Sequence, residues 1–252
     1  MILMNSSLIE EMEGIGRANG VDLMTYGYIG DRNLLYRPEN EHYLRGIGML
    51  YSISLAAHYA DSIVDLLEMH EDEGMLFYFQ QHNRSISDHL EYAAHRIAVF
   101  LSDNGQRAMV VPGRGKGYRE GVPGIVSHKA LANISGMGTM SDSGMIVTRE
   151  YGPRVRLCSM LTDLVLPVQP ISPEADYCLH CGRCRDACPV GAIGNGRFDP
   201  GLPDEPYTEH DRCAEYRSER AKRLGTRFCN LCMAACPVGR SAYSTIASNR
   251  RS

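Results

Sequence analysis

The chain has 252 residues, 44% hydrophobic and 22% charged, enough to bury a sizeable core in one or two domains. A formal net charge of −4 excludes a general attraction to nucleic acid, although nine Lys/Arg against four Asp/Glu from Thr208 to Ser252 make that part basic. The start, MILMNSSLIEEMEG, has no basic leader or twin arginine, and no run of about 18 apolar residues occurs, so no export signal or membrane span is expected and the expected location is cytoplasmic.

SSLIEEMEGIGRANG places Leu8, Ile9, Met12 and Ile15 on one helical face and stops at Gly20. VDLMTYGYI reads as a strand, IGMLYSISLA after Gly46 as another, and ADSIVDLLEM as helix. HNRSISDHLEYAAHRIAVFLSDNG is the strongest helical signal, with an apolar stripe through Ile86, Leu90, Ala93, Ala94, Ile97, Ala98 and Leu101 and a stop at Asn104-Gly105. Tyr78, just ahead of it in FYF, is expected to pack. RAMVVP is a short strand, VPGRGKGYREGVPG a glycine-rich basic loop, SHKALANISG a helix, and GMIVTRE and RVRLCSMLTDLVL strands. Arg154 and Arg156 are expected to pair with carboxylates, Asp163 to fix a turn, and Cys158 to be a buried structural thiol. This irregular alternation implies an α+β or α/β domain with a mixed sheet over residues 1–166, α+β being the class expected for the chain. PVQPISPEAD then reads as a linker into a cysteine-, glycine- and proline-rich part, residues 167–252.

The nine cysteines carry the strongest signal. A chain expected in the cytoplasm has little use for a disulfide framework, so metal binding is the default. Cys178-x2-Cys181-x2-Cys184-x3-Cys188-Pro189 is followed by Cys213 and by Cys229-x2-Cys232-x3-Cys236-Pro237. The first spacing lets three thiolates of one tight loop reach three irons of a cubane, while the cysteine before proline swings to a second cluster. Cys178, Cys181, Cys184 and Cys236 are therefore assigned to one [4Fe-4S] cluster, and Cys188, Cys213, Cys229 and Cys232 to the other. Paired zinc knuckles, the alternative, fit this run poorly. The insert EYRSERAKRLGTR reads as helix. Two such clusters mean low-potential electron transfer in a bacterial-ferredoxin-like part, which leaves residues 1–166 to be explained.

The stretch SHKALANISGMGTMSDSGMIVTREYGPRVRLCSMLTDLVLP, followed by two cubane motifs, resembles epoxyqueuosine reductases and the related reductive dehalogenases. The matching words are Gly136-Met137-Gly138, Tyr151-Gly152-Pro153-Arg154 and Leu161-Thr162-Asp163-Leu164. The resemblance implies a nitroreductase-like domain holding base-off cobalamin beside the clusters, in a cobalamin-dependent oxidoreductase. An external donor of ferredoxin or flavodoxin type would supply electrons for reduction of a small molecule. Departures are visible. The aromatic and lysine of the family's G-L-G-W-x-G-K are missing from Gly138-Thr139-Met140-Ser141-Asp142-Ser143. No carboxylate stands at the family's acid position, Glu120 and Asp142 being only neighbours. The chain stops sixteen residues after Cys236, so the C-terminal helical extension used with tRNA has no counterpart and tRNA is not the expected partner.

His128, opening its helix, and Tyr118, in the glycine-rich loop, are the candidate proton donors. Gly136, Met137, Gly138, Ser141 and Arg156 are the candidate cofactor contacts, by backbone approach or by hydrogen bonds to corrin amides; a helix stop and an ordinary turn are the plain alternatives for the glycines and Ser141. Two other functions compete with the corrinoid reductase. One is an electron-transfer protein that reactivates a corrinoid on a separate protein. The other is an FMN-dependent reductase, since nitroreductase-like folds often hold FMN.

Overall fold

The structure is a computed structural model and describes residues 2–30, 47–111, 126–168, 175–196, 208–225 and 227–240, with side chains from residue 6 onward. Among them lie α1 (Ile2–Ala18), β1 (Leu23–Tyr28), β2 (Tyr51–His58), α2 (Asp61–Asp65) with a 3-10 turn (Leu66–Met69), α3 (Glu73–Asp103), β3 (Ala108–Val111), α4 (His128–Ile134), β4 (Gly138–Met140), β5 (Ile146–Thr148), β6 (Val155–Thr162), α5 (Arg183–Asp186), α6 (His210–Leu224) and α7 (Leu231–Ala234). The class is α+β, as expected. Glu73, well ahead of His82, opens the long helix, because Leu76 and Phe79 already supply a buried face one turn apart. Tyr78 falls outside that face and is 61% exposed, so it does not pack as expected. No helix among the described residues is long and apolar enough to cross a membrane. The glycine-rich loop, Tyr118 and Glu120 lie outside the described residues.

The chain divides into two compact units, each built from three stretches. The first takes Met1–Ala57, Ile86–Met137 and Arg156–Ala175, the second His58–Ser85, Gly138–Val155 and Asp176–Ser252. The sequence reading places one boundary at 166/167, whereas residues 58–85 and 138–155 fall with the cysteine-rich part.

The first unit centres on a four-stranded sheet ordered β1-β2-β6-β3, with β1 antiparallel to β2 (Leu23 opposite Ala56) and β3 antiparallel to β6 (Ala108 opposite Thr162). Alternation decides its faces. Ile53, Leu55 and Ala57 join Cys158 and Met160 in a core closed by Met12 of α1 and by Leu90, Ala93, Ala94, Ile97 and Leu101 of α3. The opposite parity of β2 carries Ser52 and Ser54, both fully buried. Leu131 of α4 packs there with Ile29, Val111, Val126 and Leu161.

Two predictions arise from this unit. Burial pushes the Cys158 thiol up to about 12. It should therefore resist alkylation at pH 8 until the protein unfolds, as peptide mass mapping will show, and Cys158→Ala should cost about 1 kcal/mol. Asp163, expected to fix a turn, instead ties the end of β6 to the start of β3, accepting from Arg107 N–H (2.8 Å) and Arg107 Nε (2.7 Å). Burial opposes its charge, but the Arg107 bonds outweigh it and hold the carboxyl below its usual pKa. A depressed pKa contributes stability above the unfolded value, about 3.9, and loses it only as pH falls through the folded value. Asp163→Asn should thus cost about 1 kcal/mol, discounted for the exposed arginine, with the same difference at pH 7 and pH 5 in urea denaturation.

Candidate metal centre

The second unit sets the cysteines on two similar short frames. In each, a cysteine is followed by a left-handed residue (Gly182 after Cys181, Asn230 after Cys229), then by a one-turn helix carrying the next cysteine (Cys184 in α5, Cys232 in α7), then by Cys-Pro-Val-Gly. The frames are offset by 48 residues, which puts Thr226 where the first frame has Cys178. Cys213, on α6, is the cysteine left to complete the second set.

All nine cysteines are free of disulfides. Cys178, Cys181, Cys184, Cys232 and Cys236 line a small hollow of about 30 Å³, bordered also by Val147, Pro153 and Leu179. Cys236 lies within electrostatic reach of Cys178 and Cys181, and Cys184 within reach of Cys178 and Cys236. Cys229 is close in the same sense to Cys213 and Cys188. Cys232 neighbours Cys229 and Cys213 but also Cys184, so the two groups abut. Burial pushes the Cys184 thiol up to about 11 and the Cys232 thiol up to about 12, with neighbouring cysteine charges adding to it. Crowded, part-buried sulfurs of this kind are held as thiolates most readily when cations share the site. The donor set therefore fits iron–sulfur groups. The Ala192 N–H donates to Cys188 Sγ (3.3 Å), a bond of the kind that tunes such groups.

Several residues that hold this frame had no assigned role in the sequence. His180 has φ 47° and is bound at both ring nitrogens, Nδ1 to Asp142 (2.8 Å) and Nε2 to Asp176 (2.7 Å). Burial works against a charge on His180, but the two carboxylates outweigh it and raise its pKa. Its position between Cys178 and Cys181 was the available signal. Tyr177 N–H donates to the buried Thr139 hydroxyl (3.0 Å), tying the first motif to β4. Two buried arginines, Arg154 and Arg220, reach the second motif through backbone carbonyls. Arg154 pairs with Asp61 (3.5 Å), in line with the expected carboxylate partner.

The remaining candidates are placed as follows. His128 stands at the start of α4, its Nδ1 2.9 Å from Ser159 Oγ. Gly136 is the left-handed residue of a Schellman cap on α4, with Gly136 N–H to Asn133 O and Met137 N–H to Ala132 O. Met137 is buried. Gly138 opens β4 against Val147. Ser141 borders the cysteine hollow, but its hydroxyl is engaged with Met145 O and Ser143. Arg156 lies on β6, half-buried.

Comparison with known proteins gives a consistent picture. Residues 177–239 match the 4Fe-4S double cluster binding domain. The chain is 32% identical over 127 residues to the epoxyqueuosine reductase of Bacillus subtilis, covering 46% of this chain and 30% of that one. It is 30% identical over 159 residues to the tetrachloroethene reductive dehalogenase of Desulfitobacterium hafniense, covering 57% of this chain and 26% of that one. The chain thus spans about a third or less of these relatives. A solved reductive dehalogenase structure, described as suggesting a mechanism for B12-dependent dehalogenation, superposes with a TM-score of 0.63 at 19% identity, over 92% of this chain and 32% of that one. The resemblance read from the sequence is thereby shown, and so is an α+β fold ending in a double-cluster domain.

Proposed function

We propose that the chain is a cytoplasmic iron–sulfur reductase in which two [4Fe-4S] clusters pass low-potential electrons to a corrinoid that reduces a small molecule. The observation that carries this reading is that all eight motif cysteines fall within the matched double-cluster domain and neighbour one another across the two motifs. In this reading Cys178, Cys181, Cys184 and Cys236 hold one cluster and Cys188, Cys213, Cys229 and Cys232 the other. When bound, the clusters supply one-electron transfer and cobalamin supplies a strongly reducing cobalt centre. The chain's own part is to fix the thiolates, exclude water with Val147, Pro153 and Leu179, and hold polar groups toward the corrinoid.

The first unit has chemistry suited to such a guest. Ser54 is fully buried, and its hydroxyl has no hydrogen-bond partner among the described residues. Ser52 and Ser159 are equally buried, but their hydroxyls are already engaged with Gly27 O (3.4 Å) and His128 Nδ1 (2.9 Å). Burying the Ser54 hydroxyl is costly unless a partner arrives, and corrin amides offer both donor and acceptor. We assign a nitroreductase-like cofactor role to this part, with His128 and Tyr118 as proton donors and Gly136, Met137, Gly138, Ser141 and Arg156 as cofactor contacts. Support for cobalamin comes from the B12-dependent relative.

A second reading, reactivation of a corrinoid on a separate protein, is favoured by the missing family carboxylate and by Asp142 being engaged with His180. Anaerobic purification with a cobalamin supply tests both. Corrinoid absorbance near one per chain with about eight irons supports the reductase. Cluster absorbance alone supports the reactivator, and zinc in place of iron defeats both.

A further inference from the structure

The two largest fully buried side chains among the described residues are arginines, Arg154 (1% exposed) and Arg220 (2% exposed), and each borders one cysteine group. Their bonding differs. Arg220 is saturated. Its Nε donates to Phe228 O (3.2 Å), its Nη1 to Glu71 (2.9 Å) and Tyr216 Oη (3.2 Å), and its Nη2 to His70 O. That guanidinium is neutralised by Glu71 and works as a clamp.

Arg154 is not saturated. Its Nη2 makes two long bonds, to Ala234 O (3.3 Å) and Cys236 O (3.4 Å), while its Nε and Nη1 make none among the described residues. Asp61 stands at 3.5 Å from Nη1, an ion pair without a hydrogen bond. Asp65, the other carboxylate in its electrostatic reach, is bound by Arg240 at 3.0 Å. A permanently charged group held dry with so little compensation is expensive for a structural role alone. Beyond these two carboxylates, the acidic group in its electrostatic reach is Cys236, whose backbone carbonyl it also holds.

We propose that Arg154 is a positioning residue whose fixed charge raises the reduction potential of the cluster at Cys178, Cys181, Cys184 and Cys236, and not that of the other. This rests on the cluster reading above. Reduction adds one electron, and hence one negative charge, to an already anionic thiolate-bound group, and a buried cation nearby favours the more negative form.

The test is anaerobic redox titration with dithionite, followed by the electron-spin signals of the two clusters, after iron analysis. In Arg154→Met, the reduced-to-oxidised ratio of one cluster should fall about tenfold at fixed potential, about 59 mV for a one-electron couple, with the other unmoved. Arg154→Lys should retain the ratio within about threefold. Asp61→Asn, which removes the counter-charge, should move the same cluster the opposite way, and it decides the matter if Arg154→Met fails to assemble. No shift, equal shifts in both clusters, or Asp61→Asn moving with Arg154→Met overturns the role of Arg154 while leaving the clusters in place. A parent protein without about eight irons overturns the cluster reading itself.

Discussion

Gly239→Ala should leave the cysteine-rich unit unable to fold or to hold iron, a loss of more than about 4 kcal/mol. Gly239 has φ 72°, and a Cβ built on it would lie 1.9 Å from Tyr151 C and 2.1 Å from Gly152 N. Those are backbone atoms, which cannot rotate aside as a flexible side chain would. The approach is reciprocal. A Cβ on Gly152, φ 55°, would lie 2.0 Å from Val238 O. Two chain segments therefore cross at their peptides, glycine against glycine, beside Pro153, Val238 and Cys236 of the hollow. Gly191 supplies the control. It ends the equivalent Cys-Pro-Val-Gly of the first motif with φ 59°, yet a Cβ there meets nothing within 4 Å. Gly191→Ala should cost only the left-handed backbone penalty, about 1–2 kcal/mol. Equal losses in the two variants, by thermal denaturation and iron content under anaerobic conditions, would show that the crossing does not matter.

The crossing also shows what the sequence could and could not reveal. Cys-Pro-Val-Gly is visible twice, but only the fold shows that Gly239 meets Gly152, 87 residues away. The elements of the first unit were legible because periodicity is local. The α3 stripe from Ile86 to Leu101 and the alternation of β2 each name their buried face directly. Short β4 was not legible, since Gly138-Thr139-Met140 has no alternation to read and is defined by pairing with Ile146–Thr148. The contact-based units differ from the sequence division for the same reason. Tyr59, Phe79 and Phe228 pack into one small core, Tyr59 stacked on Phe79 (ring centroids 5.9 Å apart) and Phe228 edge-on to it (5.7 Å), so residues 58–85 join the cysteine motifs through contacts that no local window contains. Ligand spacing announced the cysteines, whereas the charges around them, Arg154, Arg220 and the Asp142–His180–Asp176 chain, depend on long-range packing.

Pairs of cysteine substitutions will decide how the sulfurs are shared. With crossed sharing, Cys178→Ala and Cys236→Ala strike one cluster, and the double variant should keep about four of about eight irons after anaerobic reconstitution. Cys178→Ala with Cys188→Ala then leaves three thiolates on each cluster, so both should be weakened and lose iron in part, with neither cluster keeping its full signal. Sequential sharing, in which each motif serves its own cluster, reverses the two outcomes. Double variants are needed because a cluster with three remaining thiolates can survive in part, whereas loss of two ligands removes it. Geometry favours the crossed arrangement. Cys236 lies near Cys178 and Cys181, and Cys188 near Cys229. The physical cause lies in the frames. After each one-turn helix the chain leaves through Cys-Pro, and proline cannot continue the helix or donate a bond back to it. The last cysteine is thereby carried away from its own loop toward the other. Because each cluster would then bind both motifs, losing either should destabilise both frames and not merely halve the electron count. This adds a second readout, a thermal transition lowered in both double variants.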